Sequence, residues 1–243
     1  MNTLKTCDDE KIAYKHYANG HDKVIVIVHG FFNSKDSCLL GKLCEDLHKR
    51  YDVFIFDLRG HGKSSGVFTW TAKEGEDLKA VLRHLKGKYE KTAIIAFSMG
   101  GSIAINVLAR GEFKVDSFIC VSAPSDCRKV DFNFWNLDIE NDLYYALLTK
   151  EGTQGKGVRP GWPWFAKEKP IDNIQKINIP ILFIHGAKDW TVGLWHSKAL
   201  FEKAITDKKK LTTIKNGPHA EYLVRKNSQE FLQEVHSWLD HTI

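Results

Sequence analysis

Ala93-Ile94-Ile95-Ala96-Phe97-Ser98-Met99-Gly100-Gly101-Ser102 is the stretch on which the fold of this chain turns. Ala93 to Phe97 is a short apolar run of the kind that forms a buried strand, and Ser102 to Ala109 continues in small and apolar residues with helical character. Strand, sharp turn and helix therefore follow in that order. A serine at such a turn is held in a strained backbone conformation, which only small neighbours two residues away permit; here they are Ala96 and Gly100. The turn pushes the Ser98 hydroxyl into the open above a sheet. The helix just behind it offers free backbone N–H groups and the positive end of its dipole to any negative charge that develops there.

Further short, β-branched runs lie on either side: Val24 to Val28, Val53 to Phe56, Phe118 to Val121 and Ile179 to Ile184. Strands apolar on both faces need helices on both sides. Stripes at helical spacing supply them: Leu40, Leu43 and Leu47; Leu78, Val81, Leu82 and Leu85; and Phe231, Leu232, Val235, Trp238 and Leu239. Thr71 and Glu74 ahead of the second stripe have the spacing of a capping box. An N-terminal pair, Leu4 to Thr6 and Ile12 to Tyr17 turning at Asp8-Asp9, and a late strand near Leu211 to Ile214 bring the expected total to eight strands, mostly parallel and mixed at one edge. The alternation breaks between Pro124 and Ile177. Residues 125–175 are rich in aromatics, including Phe132, Phe134, Trp135, Tyr144, Tyr145, Trp162, Trp164 and Phe165, and are interrupted by Gly152, Gly155, Gly157 and Gly161. They are expected to form a cap inserted into a single domain spanning 1–243.

The 243 residues are 43% hydrophobic and 27% charged, which excludes a disordered or collagen-like chain. A formal charge of +5, with Lys208-Lys209-Lys210 as the one basic run, is too weak and scattered for a nucleic-acid footprint. Five cysteines without a C-x-x-C pair suggest neither a disulfide framework nor a zinc ribbon. The N-terminus has no apolar signal core, and nowhere do about eighteen consecutive apolar residues occur, so a soluble, cytoplasmic protein that does not enter membranes is expected. Gly62-Lys63-Ser64 looks like the end of a phosphate loop, but Asp57 stands where that loop needs its first Gly. No H-E-x-x-H spacing occurs among the 11 histidines, and neither a metal nor a cofactor is expected.

The elbow around Ser98 resembles that of the α/β-hydrolases, G-x-S-x-G, with Ala96 in place of the first Gly. Other landmarks agree with the resemblance over roughly residues 12 to 240. Val28-His29-Gly30-Phe31-Phe32 is similar to the family's HG loop, and Asp57-Leu58-Arg59-Gly60-His61-Gly62-Lys63-Ser64 to its D-x-R-G-x-G-x-S loop. His185-Gly186-Ala187-Lys188-Asp189 and Gly217-Pro218-His219 are similar to its acid and base loops. The resemblance implies an α/β-hydrolase fold and a catalytic triad of Ser98, Asp189 and His219. It also implies an oxyanion hole from the N–H groups of Phe31 and Met99, with Asp57 and Arg59 bracing the site. Asp126, which follows the strand Phe118 to Val121, is the rival for the acid, and the true acid must hydrogen-bond His219.

A serine nucleophile implies acyl transfer to water, and the resemblance points to a small, soluble carboxylic ester with a medium or aryl acyl group as the small-molecule partner. Phe32, Trp135, Trp164 and Trp190 are candidate pocket walls, with plain packing as the alternative. Other chemistries on the same triad stay open: a thioesterase, a carbon–carbon bond hydrolase, or a proline-type peptidase in which Glu140 or Asp142 would grip a free amine. So does a ligand-binding member of the fold with slow turnover. The sequence does not decide the oligomeric state.

Overall fold

The β-branched runs all become strands of one sheet. The computed structural model describes residues 1–130 and 132–243, the side chains of 140–142 excepted. The strands are β1 (Asn2–Lys5), β2 (Lys11–Tyr17), β3 (Lys23–Val28), β4 (Asp52–Phe56), β5 (Lys91–Phe97), β6 (Ser117–Val121), β7 (Ile181–Gly186) and β8 (Lys209–Ile214). Their order is β1-β2-β4-β3-β5-β6-β7-β8. β1 with β2 and β2 with β4 pair antiparallel, and every other pair is parallel. Sequence order reverses around β3, which lies between β4 and β5. In an open sheet of this kind the crevice forms beyond the carboxyl ends of the strands at that reversal.

Alternation along each strand feeds two cores. Val24, Val26, Val28, Phe54, Phe56 and Ile94 pack with Leu78, Val81 and Leu82 of α2 (Gly75–Leu85) and Ile103 and Ala104 of α3 (Met99–Leu108). Ile25, Ile27, Val53, Ile55, Ile95 and Phe97 pack on the other face with Leu40, Leu43 and Leu47 of α1 (Cys38–Leu47) and with Phe231, Val235 and Leu239 of the helix Ser228–Thr242. Each of the Val, Ile, Leu and Phe side chains contributes about 1.5–3 kcal/mol through burial, enough to fix the frame from which the loops project.

Two local expectations change. The capping box is not formed by Thr71. Thr69 takes its place, its N–H and Oγ1 meeting Glu74 Oε1 at 2.6 and 3.0 Å while Lys73 N–H donates to Thr69 Oγ1 at 2.9 Å. Trp70 and Thr71 have positive φ of 59° and 76°, so the chain bends between the two ends of the expected box and moves Thr71 out of reach. Arg59 does not face the crevice. Its buried guanidinium joins Asp77 of α2 (Nη2 at 2.7 Å) to Asp8 in the β1–β2 turn (Nη1 at 2.6 Å). Asp57 ties two loops together: it accepts Lys35 N–H and Lys63 N–H at 2.7 and 2.8 Å and pairs with Lys35 Nζ at 2.9 Å.

Between β6 and β7 the helical elements among the described residues are short turns, such as Phe134–Asn136, Tyr145–Leu148 and Pro170–Asn173. Isolated bridges His61↔Val158 and Phe68↔Pro160 tie this segment to the loop after β4. Arg159 donates to the carbonyls of Gly62 and Gly66 at 3.2 and 3.3 Å and to that of Ser64. Among the described residues no helix is long and apolar enough to cross a membrane.

Candidate active site

Ser98 sits between β5 and α3 with φ 49° and ψ −120°, a left-handed conformation strained for a residue with a side chain. Its neighbours show why the turn needs small residues. A Cβ on Gly100 would lie 2.5 Å from His29 O and 2.6 Å from Val28 O, and one on Gly101 would lie 2.6 Å from Ala123 Cβ. Ala96, where the family pattern has Gly, is fully buried in register between Val28 and Cys120, so its methyl is accommodated inside the sheet.

The late loops converge on this turn. A Cβ on Gly186 would lie 2.2 Å from Pro218 O, so β7 can pass the loop after β8 only with a glycine there. That approach brings His219 Nδ1 to 2.7 Å from Asp189 Oδ2, and His219 Nε2 lies 2.9 Å from Ser98 Oγ. An ionised Asp189 takes the Nδ1–H and leaves Nε2 to accept from the serine hydroxyl. Asp189 Oδ1 accepts Thr191 N–H and Val192 N–H at 2.9 and 2.8 Å. Burial pushes the Asp189 carboxyl up, but His219, His185 and the Val192 N–H outweigh it and hold it below its ordinary value. Asp126 is engaged elsewhere: its Oδ1 accepts Arg128 N–H at 3.0 Å and its Oδ2 accepts Arg128 Nη2–H at 3.1 Å.

Two other histidines serve as struts. His185 lies with Nε2 at 2.8 Å from Val192 O and 3.3 Å from Asp189 Oδ2, with Nδ1 at 2.7 Å from Ser197 Oγ. His29 accepts Leu58 N–H at 3.0 Å and donates from Nδ1 to Gly30 O at 2.7 Å, while burial pushes its pKa down to about 4. His29 is therefore neutral at neutral pH, and it holds the loop that carries Phe31. Met99 is the first residue of α3, so its N–H has no partner inside the helix and points from the positive end of the dipole.

The expected pocket walls separate into two groups. Phe32 is half-exposed and joins Phe31, expected only for its oxyanion N–H, in a cluster in which Phe31 lies 5.2 Å from Phe68 and 6.3 Å from Trp70, ring to ring. Trp190 packs against Phe132 and Phe134 at 5.8 and 6.1 Å, and its carbonyl accepts Asn133 N–H at 2.6 Å. Trp135 and Trp164 turn outward, 96% and 83% exposed. The side chains of Glu140 and Asp142 lie outside the described residues. Sequence reasoning missed Trp70, which joins the cluster only because of its left-handed bend. It also missed Glu221, whose partner Gly30 is 191 residues away. Among the described residues no group of three or more His, Cys, Asp or Glu side chains is placed to hold a metal ion.

Sheet order, elbow and loop placement define the class: the chain is an α/β-hydrolase-fold protein, and residues 23–137 match the family model described as alpha/beta hydrolase fold. In backbone it is similar to an esterase of Pyrococcus furiosus, with a TM-score of 0.78 at 24% identity over 99% of this chain and 90% of that one. It is similar also to the esterase RhEst1 of Rhodococcus sp. ECU1013, with a TM-score of 0.79 at 20% identity over 100% and 99% of the two chains. In sequence it is 24% identical over 203 residues to an uncharacterised peptidase of Bacillus subtilis, covering 82% of this chain and 76% of that protein.

Proposed function

We propose that this protein is a serine hydrolase that cleaves a small carboxylic ester through an acyl-enzyme. One observation carries the reading: the continuous path from Asp189 Oδ2 through both ring nitrogens of His219 to Ser98 Oγ, at 2.7 and 2.9 Å. Those distances are within reach for proton transfer without rearrangement. His219 takes the hydroxyl proton as Ser98 attacks the ester carbonyl, and Asp189 holds the ring in the required tautomer and stabilises the imidazolium. The N–H groups of Phe31 and Met99 take the oxyanion. His219 then returns the proton to the leaving alcohol. Water, activated by the same ring, clears the acyl group from Ser98.

The half-exposed rings of Phe31, Phe32 and Trp70 support an apolar or aryl acyl group beside that oxyanion loop, with Trp190 on the acid side. Residues 125–175 act as the cap over this crevice. The neighbours named as esterases favour an ester over an amide.

A fluorophosphonate label followed by peptide mass mapping, with an acyl-length series of nitrophenyl esters and the matching anilides, tests the reading. Labelling at Ser98 and faster turnover of esters than of anilides support it. Labelling elsewhere, or turnover of anilides alone, overturns it.

A further inference from the structure

Glu221 is a carboxylate that the mechanism above leaves unused, yet it is 5% exposed and lies two residues beyond His219. Its Oε1 accepts Gly30 N–H at 2.7 Å. A Cβ built on Gly30 would lie 2.8 Å from that same oxygen and 3.2 Å from Ser98 Cβ, so the carboxylate and the serine flank one backbone atom. Gly30 immediately precedes Phe31, whose N–H is assigned to the oxyanion, and His29 Nδ1–H donates to Gly30 O, in the peptide that also carries Phe31 N–H, at 2.7 Å. Ala220, at φ 41°, makes the bend that separates His219 from Glu221. The loop carrying the base is thus bonded directly to the loop carrying the oxyanion donor.

A negative charge beside a developing oxyanion opposes it, so this site gains from the carboxylate only through its reach. One nearby cation is Lys156, from the segment between β6 and β7. Burial lowers its pKa, Glu221 partly restores it, and its ammonium lies 5.4 Å from the centre of the Tyr222 ring. Gly157 N–H donates to Phe32 O at 3.3 Å, so the same segment also touches the oxyanion loop.

We propose that Glu221 is a positioning residue: through Gly30 N–H it fixes the His29–Gly30 peptide and so anchors the Gly30 backbone, from which the next peptide presents Phe31 N–H to the oxyanion, and its acceptor oxygen at that length is what the site requires. The proposal rests on the serine-hydrolase reading above. Three variants separate length from charge. Glu221→Gln keeps a carbonyl acceptor at the same reach and removes the charge. Glu221→Asp keeps the charge and falls one methylene short, and Glu221→Ala removes both.

With a nitrophenyl ester, the Asp and Ala variants are expected to lose kcat by about 10²-fold with KM little changed, the scale of a displaced oxyanion donor. The Gln variant is expected to recover most of that loss. Melting curves for all three report folding, and if the Ala variant does not fold, the Asp and Gln pair decides the matter. A Gln variant no better than Asp, or an Asp variant close to wild type, overturns the proposal. Wild-type protein that neither labels with fluorophosphonate nor turns over esters would overturn the serine-hydrolase reading and this inference with it. Active wild type with the variants in the wrong order overturns only the role of Glu221.

Discussion

Gly100→Ala perturbs the site through backbone alone. The added methyl would stand 2.5 Å from His29 O and 2.6 Å from Val28 O, where an unstrained contact needs more than 3 Å. Neither acceptor is the tip of a flexible side chain, so α3 or the end of β3 must move by roughly half an ångström or more. Alanine is favoured over glycine in a helix by about 1 kcal/mol, but that preference counts least in a first turn, and forcing a methyl into close-packed backbone costs about 1–3 kcal/mol. Overpacking wins, and the net loss lowers the melting temperature by roughly 2–8 °C for a chain of this length. The end of β3 leads directly into Gly30 and Phe31, so the shift also moves the oxyanion N–H relative to Ser98. Displacement on that scale lowers kcat by about 10- to 100-fold. Differential scanning fluorimetry and initial rates on a nitrophenyl ester measure the two effects. A melting temperature and a rate both indistinguishable from wild type would refute the reasoning.

Asp189→Asn should keep the Thr191 and Val192 contacts through its carbonyl oxygen while presenting an amide N–H to His219 Nδ1, which forces the wrong ring tautomer. A fall in kcat of about 10³–10⁴-fold with an intact melting curve is expected, and a loss under about tenfold would count against it. Acid should destabilise the fold below about pH 6.5, because burial lowers the pKa of His29 to about 4, of His61 to about 3, and of His185 below its ordinary value. The contribution is complete above about pH 6.5. Below it the unfolded chain binds protons that the folded chain refuses, and each such ring removes about 1.4 kcal/mol per pH unit until its folded pKa is reached. Urea midpoints at pH 7 and pH 5 read this loss, and equal midpoints would contradict it. Ala96→Gly should cost about 0.5–1 kcal/mol of stability through strand entropy, or somewhat more with its lost burial, and a melt above wild type would show that the methyl strains the elbow.

The frame was legible because its signal is local. Val24 to Val28 and Ala93 to Phe97 carry enough β-branched and apolar residues to specify buried strands, and loops at the ends of parallel strands must share one edge. The elbow was legible for a similar reason, since Gly100 and Gly101 mark a backbone approach that few sequences need. What the chain concealed depends on distant packing. Thr71 has the right spacing from Glu74, yet two left-handed residues hand its role to Thr69. Arg59 fits the loop pattern, but its guanidinium turns toward Asp77 and Asp8. An aromatic residue reads the same whether it walls a crevice or faces water, which is why Trp135 and Trp164 could not be told apart from Phe32 and Trp190. Glu221 is one acid among 30, and nothing in its neighbourhood of sequence names Gly30 as its partner.

The central claim is that Ser98 carries the acyl group. Rapid mixing of enzyme with a nitrophenyl ester in slight excess, quenched in acid and analysed by peptide mass spectrometry, tests it directly. The account predicts a burst of nitrophenol close to one equivalent per chain, with the acyl mass on the peptide containing Ser98 and its disappearance matching turnover. Turnover without an acylated Ser98 peptide, or undiminished turnover by Ser98→Ala, would contradict it.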